Sequence, residues 1–332
     1  MAISLTTCQL AAVSIAAGII LSLAGCSASF NVFSDKTEPL REYVIDGDGT
    51  GKVLLLSIDG VISDAPGGGL LRTTPSLVED VVAQLRKAEK DDEIKALVLK
   101  VDSPGGSTTA SDILYQEILR YKEKTKVKIV AAFMDVAASG GYYVSLPADR
   151  IIAHPTTITG SVGVLFLRPK FHGLMNKIGL GVDVTKSGEN KDMGSPFRQA
   201  TKEEDAMFQT LIDELGTRFV SLTVKHRPLT GQAKAEVASA RVFLANDALR
   251  LGLVDEVGYL PDAIGSAKKL ANLEKDAMLV AYRRKNYPND TMYNNAAEWR
   301  RSGVSLVNLG ALESLTELRP GFYYLWLPGF AP

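Results

Sequence analysis

The chain has 332 residues, 46% hydrophobic and 23% charged, enough to bury the core of one large domain or two small ones. Its 37 basic and 38 acidic side chains leave a net charge of −1, so bulk electrostatics favours neither nucleic acid nor an anionic membrane face as a partner. Both cysteines, Cys8 and Cys26, fall in the first 26 residues, so the body has no thiol for a disulfide; no metal-ligand spacing occurs, and no cofactor is expected.

The first charged side chain is Asp35, and residues 10–21, LAAVSIAAGIIL, are almost wholly apolar. The segment closes on Leu23-Ala24-Gly25-Cys26, which resembles the lipobox of bacterial lipoproteins. That resemblance implies a signal peptide over residues 1–26, with diacylated Cys26 as the mature N-terminus and two acyl chains holding the protein to a bilayer. The basic n-region usual in such signals is missing; the alternative is an uncleaved membrane-spanning helix over residues 3–25. Either reading tethers the rest to the cell membrane or envelope, outside the cytoplasm.

Residues 27–51 are polar and irregular and read as a tether. The folded body is expected over 52–280, opening with the apolar run Val53-Leu54-Leu55-Leu56-Ser57-Ile58 as a buried strand. Thr74-Pro75 offers an N-cap and a first-turn proline, and Leu77, Val81, Leu85 and Ala88 recur at helical spacing. A strand over 96–101, a helix over 111–122 and strands over 127–132 and 150–153 follow. Strand-helix alternation of this kind predicts an α/β fold of repeated βαβ units with a parallel sheet. Further on, Thr201-Lys202-Glu203-Glu204 is a capping box, and Met207, Leu211, Leu215, Phe219 and Leu222 form an apolar stripe expected to face the core. Residues 281–332, ending in the aromatic run Phe322-Tyr323-Tyr324-Leu325-Trp326, read as a C-terminal extension, either a flexible tail or an arm that docks on a partner.

Two glycine-flanked turns carry the chemistry. DSPGGS, residues 102–107, joins a strand end to a helix start, where unpaired N–H groups and the helix dipole make Gly105 and Gly106 candidate oxyanion donors. In DVAASGGYY, residues 135–143, Ser139 has small neighbours on both sides, leaving its hydroxyl open to a bulky substrate. Either stretch alone fits a tight turn or close helix packing. Together they fall at the carboxyl ends of successive strands, where α/β ligand sites collect.

SPGG, AASGGYY, TGSVGV at 159–164 and GENKDMGSPF at 188–197 occur in that order, followed by Arg241-Val242-Phe243 and the closing run at 252–258. Over about 53–258 the chain thereby resembles the signal peptide peptidase A family of serine proteases, related to the Clp protease and crotonase folds. The resemblance implies Ser139 as nucleophile, Lys191 as general base, Ser161 as the residue that orients the lysine, and Gly105 and Gly106 as oxyanion donors. It also implies assembly into a homo-oligomeric ring whose subunits share active sites. Peptide substrates, remnants of signal peptides among them, would bind as an extended strand along 105–109 and 162–166.

A lysine acts as a base only when neutral, and its ordinary pKa is about 10.4. The dyad therefore requires that Lys191 be covered and that the carboxylate of Asp192 point elsewhere. His154, 15 residues beyond Ser139, is the nearest histidine in sequence and the weaker candidate base; His226 is expected to face solvent. Two other readings stay open: a crotonase-type acyl-CoA enzyme, which the export signal opposes, and a lipoprotein scaffold without activity, which the joint presence of Ser139, Ser161 and Lys191 opposes.

Overall fold

A computed structural model describes residues 39–66, 74–294, 320–326 and 328. Residues 1–26 with Cys26, and the tether up to residue 38, lie outside the described residues.

In chain order the strands are β1 (Arg41–Asp46), β2 (Gly49–Asp59), β3 (Ile94–Ser103), β4 (Gly105–Ser107), β5 (Lys128–Ala138), β6 (Arg150–Ala153), β7 (Ile158–Gly160), β8 (Leu165–Leu167), β9 (Val242–Leu244), β10 (Glu256–Val257), β11 (Ala277–Arg283) and β12 (Gly321–Leu325). The helices are α1 (Leu77–Ala88), α2 (Thr108–Thr125), α3 (Gly140–Ser145), α4 (His172–Ile178), α5 (Lys202–His226), α6 (Gly231–Ala238), α7 (Ala245–Leu251) and α8 (Leu260–Leu270), with a short 3-10 turn at Glu189–Asp192.

The main sheet runs β1-β11-β2-β3-β5-β6-β10, and every neighbouring pair from β11 to β10 is parallel. The expected α/β architecture follows from the sequence directly. Strands buried on both faces need continuous apolar runs, and β2, β3 and β5 supply them. One face, carrying Leu54, Leu56, Leu97, Leu99 and Ile129, packs under α1 and α2; the other, carrying Val53, Leu55, Val98 and Val130, packs under α8.

Several elements differ from expectation. The segment 27–51 is not irregular throughout, because β1 pairs antiparallel with β11 and β2 already begins at Gly49. As an edge strand, β1 alternates half-buried and exposed residues and has no apolar run to betray it. Likewise β11 carries the sheet to Arg283, across the expected boundary at residue 280. The cap of α1 is Ser76, not Thr74: its hydroxyl accepts from Glu79 N–H while the Glu79 carboxylate accepts from Ser76 N–H. Residue 75, a proline, then sits before the cap. The capping box of α5 forms as read, Thr201 with Glu204. Its apolar stripe does not all reach the core: Phe219 is buried, Met207, Leu215 and Leu222 are half-buried, and Leu211 is exposed.

Outside the main sheet, β12 lies between β4 and β8 in a three-stranded antiparallel sheet. Residues of the C-terminal extension thus belong to the folded body. No helix among the described residues is long and apolar enough to cross a membrane.

Candidate active site

Parallel pairing of β3 with β5 brings Ser103 opposite Ala137, so the two glycine turns leave the sheet side by side. Between Val101 and Ser103 the register shifts: β5 pairs with β6 through Phe133 and with β7 from Val136 onward. The irregularity bends β5 away from the sheet plane, and Asp102 secures it by accepting from Val136 N–H at 3.1 Å.

Ser139 follows immediately, with φ 52° and ψ −115°, a conformation that costs a non-glycine residue on the order of 1–3 kcal/mol. Its N–H donates to Gly160 O at 2.8 Å, which pins the strained residue to β7. The side chain is 1% exposed and its Oγ has no hydrogen-bond partner among the described residues. Ser161 continues β7 with φ 50°, and its N–H donates to Arg241 O at 2.9 Å. The pairing of Ala138 with Gly160 makes the two serines neighbours across strand ends.

The glycine turn is equally constrained. Gly105 has φ 103°, and its N–H donates to Ser103 Oγ, which in turn donates to Gly60 O. One of the two expected oxyanion donors is therefore already engaged, and the other, Gly106, is paired with Tyr324 of β12. Gly140, directly after the nucleophile candidate, lies against the same turn. A Cβ on Gly105 would lie 2.6 Å from Gly140 N, and one on Gly106 would lie 1.8 Å from Ile62 O. Only glycine fits at either place, which gives the pattern SPGG…SGG its physical reason.

Aromatic side chains close one side. Tyr143, two residues past Gly141 on α3, stacks on Tyr324 of β12 with ring centroids 5.0 Å apart and meets Phe219 of α5 edge-on at 4.9 Å. The Tyr143 hydroxyl donates to Asp112 at 2.6 Å, and Arg218 donates to the same carboxylate at 2.7 Å. Burial and the Asp112 carboxylate push the Tyr143 phenol well above the ordinary tyrosine range. The tyrosine pair stood in the motif, but the pocket exists only because α3 and α5 meet.

Lys191 is not brought to Ser139. It sits exposed on the 3-10 turn, in an arm spanning residues 165–200; its N–H donates to Gly188 O at 3.1 Å, and its side chain makes no hydrogen bond or ion pair among the described residues. Within its own chain this lysine is not covered, because the arm leaves the sheet after β8. Asp192, in contrast, is turned away: its carboxylate accepts from Arg198 Nε at 2.8 Å and from Lys186 Nζ at 2.7 Å. These cations hold its pKa far below the usual carboxylate range. Arg198 also pairs with Glu204, tying the turn to the first turn of α5.

The histidines lie elsewhere. His154 Nδ1 meets Thr156 Oγ1 at 2.8 Å and the ring stands edge-on to Tyr259. His226 does not face solvent as expected; it is half-buried, with Nε2 2.9 Å from the Tyr115 hydroxyl. Burial, and then Lys225, Lys122 and Arg227, lower its pKa below the ordinary 6.5. The unfolded chain therefore binds this proton more readily, and the associated stability, complete above pH 6.5, falls as the pH drops towards the folded value. The depressed carboxylates Glu89, Asp91 and Glu204 act in the same direction but only below their ordinary 4.5 and 3.8. Thermal unfolding is accordingly expected to lose stability between pH 7 and 5, and His226→Gln to flatten that loss; an unchanged slope would refute the assignment.

A buried, strained serine beside two glycine turns at the carboxyl edge of a parallel sheet is the architecture of a serine hydrolase. Comparison with known proteins narrows the class. Residues 121–274 match the model of peptidase family S49, and residues 72–159 match that of Clp protease. A protein of Enterococcus faecium described as "Putative signal peptide peptidase SppA" is 34% identical over 271 residues, covering 81% of this chain and 78% of its own. "Protease 4" of Haemophilus influenzae is 34% identical over 226 residues, 68% of this chain but 36% of its own length. Among solved structures, a ClpP1 mutant of Listeria monocytogenes superposes with TM-score 0.41 at 17% identity, over 63% of this chain and 94% of its own. The chain belongs to peptidase family S49, the serine proteases that include signal peptide peptidase A and Protease 4.

Proposed function

We propose that the protein is a membrane-tethered serine endopeptidase that cleaves remnant signal peptides or other unfolded segments with a Ser139/Lys191 dyad. The observation that carries the reading is the state of Ser139: buried, strained, without a partner for Oγ among the described residues, and followed by Gly140, which lies against Gly105. In this mechanism Oγ attacks the peptide carbonyl while its proton passes to neutral Lys191 Nζ. Gly106 and Gly140 N–H groups receive the oxyanion, and the lysine then returns the proton to the leaving amine. Ser161, next to Ser139 across the strand ends, orients the amine.

Since Lys191 stands exposed on its own chain, the lysine that serves a given Ser139 comes from a neighbouring copy, in a homo-oligomeric ring with shared sites. Support for that assembly comes from the arm itself, which presents Phe171, Leu174, Ile178, Leu180, Val182 and Val184 to solvent. Burial of this face would also desolvate Lys191 and lower its pKa towards neutrality.

A fluorophosphonate probe should label Ser139, identified by mass spectrometry of the adduct; a protein whose assembled form never labels is the inactive scaffold. For the tether, cells fed labelled palmitate should incorporate it into the protein, and Cys26→Ala should abolish the incorporation. Persistence of label in Cys26→Ala would dismiss lipidation at that residue.

A further inference from the structure

The bend in β5 that carries the chain to Ser139 is held by side chains as well as by the sheet. Val101 and Ser103 of β3 pair with Phe133 and Ala137 of β5, so a step of two residues on one strand (103 − 101) faces a step of four on the other (137 − 133). The surplus residues fall out of the ladder between β3 and β5, and their backbone groups need partners from elsewhere.

Three side chains supply them. Asp102 accepts from Val136 N–H at 3.1 Å. The Thr157 hydroxyl donates to Met134 O and lies 3.2 Å from Phe133 O, which also accepts from His154 N–H at 3.0 Å. The Thr159 hydroxyl donates at 2.6 Å to Ala137 O, on the residue opposite it in the pairing of β5 with β7. Both threonines are 0% exposed, so neither hydroxyl has water as an alternative. Two residues past Ala137 stands Ser139 in its strained conformation, with its N–H on Gly160 O. The two residues nearest the nucleophile in this bracket open the motifs DSPGGS and TGSVGV, and neither takes part in the proposed proton transfers.

We infer that Asp102 and Thr159 are positioning residues: acting through the bent backbone of β5, they hold Ser139 in the conformation that aims its Oγ at a substrate. The role presupposes the peptidase reading for the reaction it serves, while the geometry stands on the fold alone. A strained residue persists only where its surroundings overdetermine it, and here the carboxylate and the hydroxyl fix the chain on the two residues that lead into Ala138 and Ser139.

The test uses the full chain in four forms: Asp102→Ala, Asp102→Asn, Thr159→Val and Thr159→Ser. Asparagine keeps an oxygen that can accept from Val136 N–H, and serine keeps a hydroxyl for Ala137 O. Alanine and valine lack the group, although valine keeps the branched shape of threonine. Two readouts are followed: the second-order rate of fluorophosphonate labelling at Ser139, and hydrogen exchange of the amides of residues 136–140 compared with those of β2, by mass spectrometry. Asp102→Ala and Thr159→Val are each expected to slow labelling at least about tenfold, since a misplacement on the order of 1 Å can cost a reaction about a hundredfold. Asp102→Asn and Thr159→Ser should label within about threefold of the unmodified chain, because the hydrogen bond is retained. Exchange over 136–140 should rise at least about fivefold in the alanine and valine variants and stay unchanged in β2, as for a local opening that has lost one hydrogen bond.

A role in stability alone would speed exchange in both segments alike and leave the labelling rate of the folded variants at that of the unmodified chain; that result would overturn the inference. Equal losses in the conservative and the truncating variants would overturn it as well. If Asp102→Ala does not fold, the Thr159 pair carries the same comparison. Should the unmodified chain never label, the hydrolytic reading fails, and exchange over 136–140 by itself decides whether these side chains hold Ser139.

Discussion

Replacing Ser139 by alanine is expected to reduce peptide hydrolysis roughly 10⁵- to 10⁶-fold, the scale on which serine peptidases lose activity with their nucleophile. Assembly and peptide binding should survive, because the hydroxyl makes no hydrogen bond among the described residues that the fold depends on. The backbone at this position adds a second arm. With φ at 52°, residue 139 stores strain that alanine keeps and glycine relieves. Ser139→Gly should be as inactive as Ser139→Ala yet more stable than it by about 1 kcal/mol, read from denaturant midpoints. Hydrolysis retained in the alanine variant would remove the nucleophile from the mechanism; a glycine variant less stable than alanine would remove the strain argument.

Lys191→Ala should abolish hydrolysis to a similar degree, again with the oligomer intact, because the side chain holds no partner among the described residues. The sharper experiment mixes the two inactive proteins. If serine and lysine meet across a subunit boundary, dissociating and reassembling equal amounts of Ser139→Ala and Lys191→Ala subunits regenerates intact sites at about one in four positions of a ring with head-to-tail interfaces. Activity near a quarter of the unmodified protein is the expected result. No recovery from a fully exchanged mixture would place both groups on one chain, and the exposed position of Lys191 would then need a movement of its arm to make a site.

The geometry also explains why activity and stability pull apart at this edge of the sheet. Two of the five non-glycine residues with positive φ among the described residues are Ser139 and Ser161, held there by Gly160 O and Arg241 O. Relaxed backbones at those positions would turn the hydroxyls back into the sheet. Around them Gly105, Gly106 and Gly140 leave no room for any Cβ, so the site is built from backbone packed against backbone.

Much of this was written in local sequence. Apolar runs at 53–58, 96–101 and 127–132, separated by amphipathic helices, determine a parallel α/β sheet because strands covered on both faces cannot alternate polar and apolar residues. The serine and glycine motifs followed from steric needs that act within a few residues: a positive φ, a carbonyl within contact of a Cα. What local sequence left open depends on partners far along the chain. The edge strand β1 gains its place only from β11, more than two hundred residues later, and its own pattern is that of any polar segment. Closer in sequence, Lys186 and Arg198, each six residues from Asp192, hold its carboxylate, while the Lys191 amine has no partner among the described residues. The aromatic run at 322–326 read equally as a tail or an arm for a partner, since its composition favours a strand without saying whose edge it joins. Only the fold, by leaving a gap one strand wide between β4 and β8, gave that run a place beside Ser139.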